Sequence, residues 1–296
     1  MKAELHTLIT DIKAAARIGH AESLWLALDG LFDLPEVAGN PPMKGAFIRK
    51  AILPIGKALV TPRVTAPMLR PLANHDHAAL RAIAAVVTAQ RYLDDPDVNL
   101  KDLDVHGQDP RKDVRQALVM GLIQAGDAQP NRLQALIQNW IQGDSPRLQA
   151  IAIQLLPTMA EQDPKGVISI LSTFPPSGDP GVRTSLVDCL VELAQGEHPN
   201  EVLSLLKGLA EEKGNYLWVI GKTLSRSWIV PHTEHGLAII THLAGQQGPE
   251  KILLKTLKAM ERHGAEQAIA EAIDRWRKDS NPNLAALAEQ MTERSE

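Results

Sequence analysis

The sequence predicts an all-α chain, a right-handed α-solenoid of about seven to eight helix pairs with a 34-residue period. Three columns of residues carry this. Leu69, Leu103, Ile137, Leu171, Leu205, Ile239 and Ile273 recur every 34 positions, and all are Leu or Ile. Leu80, Val114, Leu148, Val182 and Tyr216 keep the same period about one helix later. Pro62, Pro96, Pro130 and Pro164 mark the repeat start, and Pro199 and Pro231 drift from that register by one residue either way. Self-similarity at a fixed spacing of roughly 20–50 residues is the mark of one supersecondary unit stacked on copies of itself.

Each unit reads as a helix–turn–helix. From Pro130, a residue suited to the first turn of a helix, Leu133, Leu136, Ile137 and Trp140 recur at spacings of three and four and form one apolar stripe. Gly143-Asp144-Ser145-Pro146 then ends one helix and caps the next, whose stripe is Leu148, Ile151, Ala152, Leu155 and Leu156. The following unit repeats the scheme with Val167, Ile170, Leu171 and Phe174, the turn Gly178-Asp179-Pro180-Gly181, and Val182, Leu186, Cys189 and Leu190. Helices of about three turns are marginal alone, so the pairs bury their stripes against neighbours. Units begin near Pro62, Pro96, Pro130, Pro164, Pro199, Pro231 and Ala265. Residues 1–60 are read as irregular N-terminal helical pairs, and residues 61–296 as regular repeats in one continuous solenoid domain. The longest interruption, Asp33–Lys44 with Gly39-Asn40-Pro41-Pro42, is a candidate hinge.

Composition agrees. Aromatics are scarce (three Phe, two Tyr, five Trp) while Leu, Ala and Ile dominate, which suits helix packing and not an all-β domain. The formal charge of −4 sets the chain as a whole against sequence-independent nucleic-acid binding. Cys189 is the single cysteine, so neither an internal disulfide nor a Cys-ligated structural zinc is expected. With apolar neighbours at helical spacing, it reads as a buried inert thiol. Glu4, Asp11 and Lys13 interrupt the N-terminal pattern and exclude a secretory h-region, and no run of about 18 apolar residues occurs. A cytoplasmic protein with no membrane partner is expected.

Asp109-Pro110…Val114-Arg115 and Asp179-Pro180-Gly181-Val182-Arg183 resemble the Asp-Pro…Val-Arg signature of HEAT repeats. Asp76…Leu80-Arg81 is a weaker copy; Asp144…Leu148-Gln149 lacks the Arg, and Tyr216-Leu217 lacks both charges. The period is also that of tetratricopeptide repeats, but Leu118, Leu186 and Ile220 stand where that family has small residues. The HEAT resemblance implies that Asp109, Arg115, Asp179 and Arg183 form a structural ladder between adjacent turns. It also implies that second helices line a concave surface presented to a protein or peptide partner. On that surface fall Gln116, Gln149, Thr184, Leu217 and Trp218, with Lys222, Arg226 and Trp228 further along.

Motifs for chemistry are few. His232-Thr-Glu-His235 with His242 shares a helix face but lacks the His pair at i and i+4 of zinc proteases, and reads as a solvated helix start. His75-Asp76-His77 falls in a turn and is explained by turn and cap chemistry. Glu211-Glu212 and Asp94-Asp95 sit at helix ends without a partner base, and neither phosphate-binding nor nucleophile-elbow motifs occur. The expectation is therefore a non-enzymatic scaffold with no cofactor, no metal and no catalytic residue. The alternative is a DNA-binding protein similar to the HEAT-like alkylation-repair glycosylases, which would draw on Trp140, Asp144 and Arg147 or on Trp218, Lys222, Arg226 and Trp228. The stretch Tyr216–Trp228 departs furthest from the repeat and is either irregular packing or a partner patch.

Overall fold

A computed structural model describes residues 2–212, 216–248 and 250–293, with the side chains of 2, 3, 93, 94, 96–98 and 247 outside the description. Asp94 and Pro96, named above, therefore lie outside the described side chains. Among the described residues every regular element is a helix and no strand occurs. The chain divides into two compact units, Met1–Leu155 and Leu156–Glu296. The division falls inside a helix of the repeat region. At the expected boundary near residue 60, the helices on either side belong to one packed body.

The first unit holds α1 (Lys2–Ile18), α2 (Ala21–Asp29), α3 (Gly45–Phe47), α4 (Leu53–Leu59), α5 (Ala66–Ala73), α6 (Ala78–Asp94), α7 (Pro96–Gly107), α8 (Lys112–Gly126) and α9 (Pro130–Gln142). A π turn, Ile48–Ile52, joins α3 to α4. Then α10 (Pro146–Ala160) crosses the division. Helix α6 is the centre of this unit: Ala78 through Val87 is buried apart from Arg81, because α4, α5, α7 and α8 all pack around it. A helix apolar on every side belongs in the middle of a bundle, and the run Ala-Ala-Val-Val meets that condition. On α4, Gly56 gives the close approach, since a Cβ there would lie 2.5 Å from Val86 Cγ1.

The second unit holds α11 (Pro164–Thr173), α12 (Pro180–Gln195), α13 (Pro199–Ala210), α14 (Leu217–Leu224), α15 (Thr233–Gln247), α16 (Lys251–Met260), α17 (Glu266–Arg277) and α18 (Pro282–Glu293). Its helices pack in two rows: α11 on α13 and α13 on α15, then α12 on α14 and α14 on α16, with α12 also against α13. Helix α18 closes the end by packing on α15, α16 and α17.

All five residues of the Leu80–Tyr216 column are buried. In the other apolar column Leu103, Ile137, Leu171, Leu205 and Ile239 are buried, but Leu69 and Ile273 are half-exposed. The proline register holds where Pro96, Pro130, Pro164 and Pro199 open helices. It fails at Pro62, which lies in a turn four residues before α5, and at Pro231, which sits inside a short 3-10 turn, Ser227–His232.

The loop expected to be a hinge is instead bonded into the first unit. Val37, Leu34 and Met43 are buried, Val37 O meets His77 Nε2 at 2.9 Å, and the Met43 N–H donates to Asp113 Oδ2 at 2.8 Å. Asn40 adopts φ 60°, a left-handed conformation in which Asn is among the few tolerated residues. Its Oδ1 accepts from Ala78 N at 3.1 Å, while its own carbonyl and that of Pro41 accept from the Arg111 guanidinium at 3.1 and 2.9 Å. Arg111 in turn holds Asp113 through two hydrogen bonds, Nε–Oδ1 3.1 Å and Nη2–Oδ2 2.8 Å. Burial opposes ionisation of Asp113, but the Arg111 and Met43 donors outweigh it and keep the carboxyl below its ordinary value.

Candidate binding surface

Three polar residues at a spacing of 34 make equivalent turn contacts. One position past Leu80, Val114 and Leu148, a long polar side chain folds back onto carbonyls of its own inter-helix turn. Arg81 Nη1 donates to His75 O and Asp76 O at 2.8 and 2.9 Å. Arg115 Nη1 donates to Asp109 O and Pro110 O at 2.6 and 3.1 Å. Gln149 Nε2 donates to Gly143 O at 2.8 Å, the same offset of six residues, so Gln replaces Arg without changing the job. Gln149, expected on the partner face, is half-exposed with its amide engaged by the turn. Gln116 is half-buried with its amide against Gly45, 3.2 Å from where a Cβ there would sit.

Among the described residues Asp109 is bonded across adjacent turns, by Arg81 and not by one of the other residues expected in the ladder. Asp109 accepts from Arg81 of the preceding pair at 2.7 and 3.4 Å and caps its own turn through Arg111 N at 2.8 Å. Asp179 instead caps α12, accepting from Val182 N at 3.0 Å. Arg115 serves carbonyls, whereas among the described residues Arg183 serves neither a carbonyl nor a carboxylate: its guanidinium lies over the Trp218 ring at 5.2 Å, and its Nε is buried with no hydrogen-bond partner there.

That change follows from the stretch Tyr216–Trp228. Tyr216 fills the column position, buried, with its hydroxyl donating to Phe174 O at 2.5 Å. Trp218, two residues on, is half-exposed over Arg183. Trp228 is buried at 7 % exposure with its indole N–H on Thr223 O at 2.9 Å, so it belongs to the core and not to a partner surface. The cause is local: α14 stops at Leu224, and the 3-10 turn after it brings Trp228 back beneath the helix end.

The surviving sequence candidates converge on α12 and α14. Thr184, Lys222 and Arg226 are exposed and Leu217 is half-exposed beside Trp218. Arg226 Nη2 reaches Asp188 Oδ1 of α12 at 4.0 Å, an exposed pair of little energetic weight. Next to them stands α16, whose exposed Lys251 and Lys255, with Arg262 just past its end, the sequence reading passed over. Helical spacing gives the missed signal: cations at 251, 255 and 262 share one stripe, while the buried Leu253, Leu254, Leu257 and Met260 share the other.

The remaining candidates lie elsewhere. Trp140 is in the core, at 1 % exposure, and donates to Asp104 Oδ1 at 2.7 Å, while Asp144 is exposed and Arg147 binds Gln108 O at 2.9 Å. These three do not form a site. His235 and His242 line a cleft of about 560 Å³ between α13 and α15, floored by Leu203, Ala238 and Ile239. His242 Nε2 lies 3.5 Å from Glu211 Oε2. His75 and His77 are used as acceptors of turn and cap N–H groups at 2.9 and 3.2 Å. Among the described residues no group of three His, Cys, Asp or Glu side chains is placed to hold a metal, and no helix is long and apolar enough to cross a membrane. Cys189 is buried, and that burial pushes its thiol well above the ordinary value.

No family model matches the chain, and neither a curated protein nor a solved structure does.

Proposed function

We propose that the protein is a non-enzymatic binding module, built of HEAT-like helix pairs, that presents a concave surface including the exposed residues of α12 and α14 to a protein or peptide partner. The observation behind this reading is Trp218. A large aromatic ring stands half-exposed at the surface, held from one side by the Arg183 guanidinium and followed one helical turn on by the exposed Lys222. Trp and Arg dominate the energetics of protein interfaces because a rigid ring and a planar cation bury much area at small entropic cost. Arg183 also gives up the turn contacts that Arg81 and Arg115 make, so the sequence departs from its own repeat at this point.

A DNA-binding reading of the alkylation-repair type would use Lys222, Arg226 and the cations of α16. Two features favour protein instead: Trp140 is committed to the core, and Asp188 and Glu192 of α12 border that basic surface.

Affinity capture with the tagged full chain and with Trp218→Ala, compared side by side by mass spectrometry, tests the proposal. A protein retained by the parent and lost with the variant, whose helicity is unchanged, is the expected result. Equal retention by both, or collapse of the variant's fold, overturns the assignment of Trp218 to an interface.

A further inference from the structure

Helices α14 and α16 run side by side in the same direction: Gly221 meets Ile252, and Ser225, one turn on, meets Thr256, also one turn on. The seam is tight because Gly221 has no side chain; a Cβ there would lie 2.7 Å from Ile252 Cγ1 and 3.0 Å from Thr256 Oγ1. Thr256 Oγ1 seals it by donating to Gly221 O at 3.0 Å. Positions facing the partner helix are thereby fixed, and the rest follow from a turn of about 100° per residue. Val219, Ile220, Thr223 and Leu224 of α14 and Leu253, Leu254, Leu257 and Met260 of α16 point to the buried side. Trp218 and Lys222 of α14, with Lys251 and Lys255 of α16, point to the other; Arg226 and Arg262 stand just past the ends of the two helices. All of these cations are exposed, and Trp218 is half-exposed.

The two helices thus share one basic face. Among the described residues no carboxylate lies within 4.0 Å of Lys222, Lys251, Lys255 or Arg262; Arg226 reaches only Asp188, at 4.0 Å. From Lys251 to Arg262 the stripe is about 16 Å long at a rise of about 1.5 Å per residue, and the helix axes are about 8–10 Å apart. An extended chain advances about 3.3 Å per residue, so about five residues cover it. The carboxylates of Asp188 and Glu192 on α12 bound the strip on one side.

We infer that this face takes a short acidic segment of a partner protein, with Asp or Glu side chains on the lysines and Arg262, and one apolar or aromatic side chain against Trp218. The inference rests on the binding-module reading above and names its partner class. A small basic patch bordered by carboxylates suits a few clustered acids. Duplex DNA, with a charge every 1.7 Å or so along its axis, would extend past the strip onto Asp188 and Glu192.

Fluorescence anisotropy with the full chain tests it. The probe is a fluorescein-labelled peptide of about six residues, Asp and Glu with one Phe, measured beside its Asn/Gln counterpart and a labelled oligothymidylate of similar length. The acidic peptide is expected to bind at low salt at least about tenfold more tightly than its amide counterpart, and to weaken by about tenfold in Lys222→Glu/Lys255→Glu, since each reversal replaces an attraction by a repulsion. Circular dichroism of that variant checks its fold; because both sites are exposed, it should match the parent. Equal binding of acidic and amide peptides, no binding of the acidic peptide up to about 1 mM, or tighter binding of the oligothymidylate each overturn the inference. If the charge-reversed chain still captures proteins that Trp218→Ala loses, the acidic-segment inference fails while the binding-module reading stands.

Discussion

Protonation of one buried imidazole is expected to make the first unit acid-sensitive well above the carboxylate range. His106, near the end of α7, is 3 % exposed, and burial lowers its pKa from 6.5 to about 4, against the partial support of Asp109 and Asp102. The folded chain therefore holds a neutral imidazole where the unfolded chain takes up a proton. Between pH 6.5 and 4 the unfolded state binds more protons, so stability falls as pH falls through that window and levels off below it. The span of about 2.5 units corresponds to about 3 kcal/mol at 1.36 kcal/mol per unit, of which about 2 kcal/mol is lost by pH 5. Other groups titrate nearby. Asp113, held low by its donors, removes stability at still lower pH; Glu192 and Glu261, held high by burial, act in the opposite direction. The measurement is therefore a difference between the parent and His106→Gln, which cannot titrate. Urea unfolding followed by circular dichroism at pH 7.5, 6 and 5 is expected to show the parent losing about 2 kcal/mol more than the variant, a relative midpoint shift of about 1 M for a slope of about 2 kcal/mol/M. Parallel pH dependences of the two proteins would refute the assignment of a neutral, desolvated His106.

Arg111→Ala removes both hydrogen bonds to the buried Asp113 and both to the Asn40–Pro41 carbonyls, and is expected to cost about 2–3 kcal/mol in thermal or urea unfolding and to expose 34–44 to limited proteolysis. An unchanged melt would show that the loop is held by its apolar residues alone. Leu171→Ala, in the buried column of α11, is expected to cost about 2–5 kcal/mol by the same unfolding assay, and a change within error would break the proposed register. Trp228→Ala is expected to cost about 3–5 kcal/mol, whereas the half-exposed Trp218→Ala changes stability by about 1 kcal/mol or less; reversal of that order would exchange their roles.

The buried positions were legible because spacing records which helix face a residue occupies, and burial follows the face. Leu80, Val114, Leu148, Val182 and Tyr216 could be picked out by spacing, and all are buried. The same logic overreached at Leu69 and Ile273: spacing gives a residue's place on its helix but not whether another helix covers it, and both are half-exposed. Long-range polar bonds were the least legible part. Arg111 and Asp113 look like two more charges at a helix start, and only the folded path of 34–44, some 70 residues earlier, makes them a clamp. Trp218 and Trp228 could not be told apart by type or by pattern, because their difference comes from where α14 ends.

Failures of the repeat nevertheless differ in kind, and the structure separates them. Gln149 for Arg is silent, since a Gln amide reaches the same turn carbonyl that Arg115 reaches one unit earlier. Tyr216 for Val is structural, since its hydroxyl binds Phe174 O across the row from α14 to the end of α11. Trp218 is different: no backbone group needs it, its ring stays half in solvent, and it draws Arg183 away from the turn that its equivalents Arg81 and Arg115 serve. That leaves the Arg183 Nε buried without a hydrogen-bond partner, which opposes folding, so the pair is not explained by stability alone. A departure that leaves a buried donor unsatisfied and an aromatic ring at the surface beside exposed Lys222 is the place where the proposed binding role is to be tested.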